Sequence, residues 1–122
     1  MKKSFVDDLQ LRTKNFAIRS IRLFQALPRT IEAGIVGRQY LRAATSMAAN
    51  HRAMSRARSK AEYFAKLSIV VEEIDEALFW LELMVETEIM PQKRLAPLLR
   101  EATELLSMFA STRKSLKNRH AS

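Results

Sequence analysis

Two carboxylate pairs at i, i+3, Glu73/Glu76 and Glu101/Glu104, and two histidines, His51 and His120, are the residues from which a helical protein would build a metal centre. A di-iron site in a helical bundle needs Glu-x-x-His on two helices, with further glutamates turned inward. Neither carboxylate pair has a histidine partner, Ala48 stands three residues before His51, and His120 falls in a polar tail. The spacing argues against metal chemistry. There is no cysteine, so thiolate catalysis and disulfides are excluded. No glycine-rich phosphate loop and no nucleophile motif occurs. The sequence therefore points to no catalytic residue, no metal and no cofactor, and to a protein that is not an enzyme. Asp75, Glu82 and Glu86 follow one edge of a single helix, where ion pairs between helices are the expected use. His51 is expected at the edge of the core, hydrogen-bonded to a neighbour such as a carboxylate of the third helix.

Arginine is the residue type with a pattern. At 100° per residue, taking Arg38 as zero, Arg42 falls at about 40°, Arg52 at about −40° and Arg56 near 0°. The apolar seam of the same helix, Tyr40, Ala44, Met47, His51 and Met54, lies on the opposite side. Arg38, Arg42, Arg52 and Arg56 thus form a stripe pointing away from the core, which Arg58 and Lys60 extend into the next turn. Guanidinium forks suit phosphate, and they suit carboxylates of another subunit equally well. Against nucleic acid stands the absence of aromatic stacking platforms and of a helix-turn-helix.

Four helices must position these residues, over about 5–27, 30–57, 59–86 and 91–118. Ser4 with Asp7, Thr30, and Ser59 with Glu62 supply helix starts, and Pro28 ends the first helix. The first seam reads Leu9, Thr13, Phe16, Ser20, Leu23, Leu27, with Ala17, Ile21 and Phe24 widening it. Gly34 and Gly37 weaken the start of the second helix, where a loop or separate turn is an alternative. The third seam is Phe64, Leu67, Val71, Ile74, Leu78, Leu81, Val85, and the fourth is Leu95, Leu98, Ala102, Leu105, Phe109, Thr112, Leu116. Pro97 is expected to kink the fourth helix or mark its first turn. Short links make neighbours antiparallel, so the fold class is all-α, an up-down-up-down four-helix bundle in one domain spanning 1–122. Only 2 Gly and 3 Pro in 122 residues agree, being too few for the turns of a β-fold.

Charge is divided by helix. Cutting at residues 27, 58 and 90 gives formal charges of +4, +5, −6 and +5, within a net +8. The third helix also carries Ile69, Phe79, Trp80 and Leu83 off its seam, among Glu72, Glu73 and Glu76. Surplus apolar groups on an outer face argue for a subunit interface. No apolar signal core follows Met1-Lys2-Lys3-Ser4 and no membrane span is present, so a cytoplasmic protein without membrane contact is expected.

The stretch Arg42-Ala43-Ala44-Thr45-Ser46-Met47-Ala48-Ala49-Asn50, with Ser59, Glu62, Phe64, Leu67-Ser68-Ile69, Glu76 and Leu81, resembles a family of bacterial four-helix bundle proteins. That family includes proteins encoded by intervening sequences in 23S ribosomal RNA genes. Glu101-Ala102-Thr103-Glu104-Leu105 and Met108-Phe109 resemble its fourth helix. The resemblance implies a cytosolic bacterial protein, an up-down bundle, a ring-shaped homopentamer and no established enzymatic activity. A related branch, the accessory proteins of diversity-generating retroelements, comprises basic pentamers that bind nucleic acid and a reverse transcriptase. This sequence departs from the family pattern at His51-Arg52-Ala53-Met54, commonly Ile-Ala-Glu-Gly. It departs again at Ala48, commonly Pro, and at Glu72 and Glu73, commonly small. These changes add positive charge to the second helix and negative charge to the third. The expectation is a homo-oligomer whose arginines contact RNA or DNA. The alternative is a protein-interaction module whose arginines meet third-helix acids across a subunit interface.

Overall fold

A computed structural model describes residues 4–121, with side chains through Arg119. It has four helices, α1 (Phe5–Ala26), α2 (Ile31–Met54), α3 (Lys60–Glu86) and α4 (Gln92–Ala121). Each helix packs on its sequence neighbours, and α1 returns to α4, so the four stand in a square. The α2/α3 seam is the most extensive and the α1/α4 seam the thinnest. The all-α antiparallel four-helix bundle expected from periodicity is the fold.

The first three helices start on their expected caps. Ser4 accepts a hydrogen bond from the Asp7 amide at 3.1 Å, Thr30 from Ala33 at 3.2 Å and Ser59 from Glu62 at 3.0 Å. The second helix is continuous from Ile31, so neither Gly34 nor Gly37 opens a loop. Gly37 has a packing reason instead. A Cβ there would lie 2.5 Å from Leu27 Cδ1 and 3.1 Å from Phe24 Cδ1, so the end of α1 sits directly on bare backbone. α2 stops at Met54, short of 57, where the Ser55 hydroxyl donates to the Arg52 carbonyl at 2.8 Å. Residues 55–57 then turn through shorter i→i−3 bonds. α4 runs to Ala121, past the expected 118, and Pro97 lies inside it, in the second turn.

The buried side of α3 differs from its expected seam. Leu67, Ile74 and Leu81 are fully buried as expected, but Val70, Ala77 and Met84 accompany them. Val71, Leu78 and Val85 are only half-buried. α3 lies between α2 and α4, so it presents a broad apolar arc of three columns rather than one seam. The core takes the column containing the small Ala77, turning α3 by roughly 60° from the expected centre. That rotation leaves Phe79 nearly opposite the core, 53% exposed. In α4, Thr112 is exposed rather than part of the seam, its hydroxyl bonded to the Met108 carbonyl of its own helix. Ile21 of α1 is likewise exposed.

Two buried polar pairs pin α1 to α2. Ser20 Oγ donates to the Phe16 carbonyl at 2.7 Å, so the Tyr40 hydroxyl, 2.5 Å away, must donate to Ser20. Thr13 Oγ1 donates to the Gln10 carbonyl at 3.1 Å, so His51 Nδ1, 2.8 Å away, carries the proton and donates to Thr13. His51 therefore partners α1, not an acid of α3. Its ring also meets Phe109 edge-to-face across the bundle centre, at 4.8 Å between centroids. Burial pushes the His51 pKa down and the Tyr40 pKa up.

Candidate nucleic-acid interface

The six cations picked out by the sequence do not form one patch. All are exposed, yet they divide among four surroundings. Arg42 leans onto α3, where Nη1 lies 3.2 Å from Glu73 Oε2 and Nη2 bonds Glu76. Donating this hydrogen bond to Glu76 raises the Arg42 pKa. Carboxylates of the same chain thus neutralise this arginine, without a second subunit.

Arg52 and Arg56 turn the other way, toward α1. They line a groove of about 680 Å³ between the first half of α1 and the second half of α2. Ala17, Ala48 and Ala49 contribute short side chains to its wall, which is why the helices leave room there. Lys14 adds a third cation from α1, and Asp7 is the one acid in the lining. Among the described residues, no carboxylate bonds Lys14, Arg52 or Arg56. Lys14 belongs to α1, so the pattern along α2 alone does not reveal it. The signal for it is register: Ser20–Tyr40 and Thr13–His51 set the antiparallel pairing, which brings residue 14 beside the turn of α2 that holds Arg52.

Arg38 and Arg58 are exposed outside the groove, and Lys60 lines a separate hollow of about 300 Å³ with Tyr63, Phe64, Leu116 and Arg119. Nearby, Arg113 donates to Ser68 Oγ at 2.8 Å and covers the Phe64 ring at 4.9 Å.

The outer face of α3 is mixed. Ile69 and Phe79 are exposed, whereas Leu83 is half-buried and Trp80 packs on the rim of the core. Trp80 Nε1 donates to Glu76 Oε2 at 3.2 Å, and its ring meets Phe79 edge-to-face at 4.9 Å. Further large apolar residues are exposed on α1 and at the start of α2. They include Leu11, Ile18, Ile21, Ile31 and Ile35, with Ile31 81% exposed. Among the described residues no three His, Asp or Glu gather as a metal site, and no helix is long and apolar enough to cross a membrane.

Residues 8–111 match the family described as 23S rRNA-intervening sequence protein. The chain belongs to that family. A similar solved structure is a protein of unknown function from the S23 ribosomal protein family of Bacteroides thetaiotaomicron. The two share 29% identity with a TM-score of 0.80, covering 87% of this chain and 98% of the other. No curated protein matches the chain. His51, Arg52 and Glu73 fall on the α1/α2 bond, the groove and the Arg42 ion pair respectively.

Proposed function

We propose that this 23S rRNA-intervening sequence protein is a non-enzymatic, cytoplasmic homo-oligomer that holds a nucleic-acid backbone, foremost RNA, in the α1/α2 groove. The observation that carries this reading is the convergence of Arg52, Arg56 and Lys14 on one groove with no carboxylate, among the described residues, bonded to any of them. An uncompensated set of forked and point cations attracts phosphate, and a net charge of +8 steers a polyanion toward it. Arg38, Arg58 and Lys60 extend the positive field, while Arg42 contributes little because Glu73 and Glu76 neutralise it. Contacts of this kind position a backbone without reading bases.

Assembly rests on a different face. The ring of five implied by the family resemblance is a head-to-tail arrangement, which needs two unlike surfaces on each copy. Ile69 and Phe79, with Trp80 and Leu83 at the rim, offer one. The exposed isoleucines of α1 and α2 offer another. The first is set among acids and the second among bases, so the pairing is complementary in charge.

A mobility-shift assay at low salt with structured RNA and with DNA tests the binding. Binding is expected, and Arg52→Glu with Arg56→Glu should abolish it while light scattering still gives the same multiple of the 14.0 kDa chain mass. Absence of any shift overturns the nucleic-acid reading. A second reading, a protein-interaction module without nucleic acid, is favoured by the exposed Phe79 and Ile69. It would be upheld if the double variant instead broke the oligomer.

A further inference from the structure

The thin α1/α4 seam holds two rungs of one ladder, seven residues apart on each helix. On the first rung Arg12 of α1 meets Glu101 of α4, Nη2 to Oε1 at 2.6 Å, with Glu104 at 3.4 Å. These carboxylates complete the rung, and the hydrogen bonds that Arg12 donates to Glu101 raise the Arg12 pKa. Seven residues along α1 stands Arg19, and seven back along antiparallel α4 stands Arg94. The second rung therefore puts arginine where the first has glutamate. Arg22 joins them, and the three cations share a cleft of about 270 Å³ with Leu23, Pro97 and Leu98.

No acid lines that cleft, and among the described residues none of its three arginines has an ion pair or hydrogen bond from its side chain. The first turn of α4 adds to the charge: it holds Lys93 and Arg94 and no acid, although the positive end of a helix favours anions. Like charges gathered on an apolar floor repel, and each lacks the counter-charge that Arg12 has. A compact dianion presented to two or three guanidinium forks removes the repulsion and accepts several charge-assisted hydrogen bonds. The volume lies just below the range of drug-sized pockets, which suits a single small anionic group.

We infer that the cleft of Arg19, Arg22 and Arg94 is a phosphate-binding site, distinct from the α1/α2 groove and on the other side of α1. It does not rest on the nucleic-acid reading of that groove. The group bound is a phosphate, supplied either free or within a polynucleotide.

The test is a titration of the full-length protein followed by the arginine Nε–H signals in ¹H–¹⁵N NMR. One arm adds inorganic phosphate, one pyrophosphate and one a short single-stranded oligonucleotide, each against chloride at matched ionic strength. Saturable shifts of Arg19, Arg22 and Arg94, with Arg29 and Arg100 unmoved, are expected in the responsive arm; shifts of Arg52 and Arg56 with the oligonucleotide report the α1/α2 groove and are scored separately. Response to phosphate or pyrophosphate identifies a free ligand; response to the oligonucleotide alone identifies a polymer. Arg94→Gln should weaken the responsive ligand at least tenfold. Arg94→Glu should abolish binding and raise the Tm of the ligand-free protein, because it restores the arginine–carboxylate rung. A merely structural arginine would give the reverse change in Tm. Equal shifts at all exposed arginines, no shift in any arm, or unchanged affinity in Arg94→Gln overturns the inference. So does loss of the oligomer in Arg94→Gln, which would mean that another copy's carboxylates fill the cleft.

Discussion

The seams lined by α3 and the seams lined by α1 handle positive charge in opposite ways. On the α3 side, Arg42 is met by Glu73 and Glu76, and Arg113 is taken up by Ser68 and the Phe64 ring. On the α1 side, among the described residues, Arg12 finds carboxylates, while Lys14, Arg52 and Arg56 in one groove and Arg19, Arg22 and Arg94 in another cleft find none. The cause is the sequence itself, which places 8 of its 13 acids in the third helix segment. Arg42 and Arg113, which reach α3, find partners there within the chain. The cations along α1 other than Arg12 are left without a carboxylate partner among the described residues, so the arginine stripe of α2 splits into a paired part and an unpaired part.

The largest expected effect separates core from surface on the two helices. Ile74→Ala, at the buried centre of α3, should cost roughly 2–5 kcal/mol in urea unfolding. Ile18→Ala, exposed on α1, should stay within about 0.5 kcal/mol. Equal losses would mean that α1 buries its outer face after all, in an assembly that survives the assay. Next come the bonds that pin α1 down. Ser20→Ala strands the buried Tyr40 hydroxyl and should cost about 1–3 kcal/mol, whereas Tyr40→Phe leaves Ser20 bonded to the Phe16 carbonyl and should cost about 0.5–1.5 kcal/mol. The reverse order would refute the assigned donor directions.

A pH series sharpens the same seam. Burial holds the His51 pKa below its ordinary 6.5, so the unfolded chain takes up a proton more readily than the folded one. Stability is then fully present above that ordinary value and falls as pH drops from it toward the folded pKa. Tm between pH 7.5 and 5.5 should decline in the parent protein and decline less in His51→Gln. Identical profiles would remove His51 as the cause. The smallest effect belongs to Arg42→Ala. This half-exposed pair should contribute less than about 1 kcal/mol, and its loss should leave nucleic-acid affinity nearly unchanged.

Much of the fold was legible in the residues. Periodicity located four helices, and Ser4, Thr30 and Ser59 marked three starts because a cap is a local event. The α3 seam was half legible. Its apolar arc is wide enough that two alternating columns fit equally well, and the neighbours α2 and α4 decide between them. Gly37 misled because helix propensity counts only the backbone cost, and the close approach of Leu27 is tertiary. The candidate site was legible as a charge type and a helix, not as a place. Arg52 and Arg56 could be chosen from their angle on α2, but Lys14 enters through register with α1, and Arg42 leaves through the reach of α3 acids. Periodicity puts His51 on the inner side of α2, but does not tell how deep it lies against Phe109 or that it bonds Thr13 rather than an acid of α3, because both depend on which neighbours it faces.

The salt dependence of RNA binding tests the division of cations most directly. In single-stranded RNA each phosphate contact contributes roughly 0.7 to the slope of log affinity against log salt. Replacing Arg52 and Arg56 with Gln should flatten that slope by about 1.4 and weaken binding at low salt, while Arg42→Gln should leave both unchanged. If the Arg42 variant flattens the slope as much as the double variant, or if neither changes it, the α1/α2 groove is not where the backbone is held.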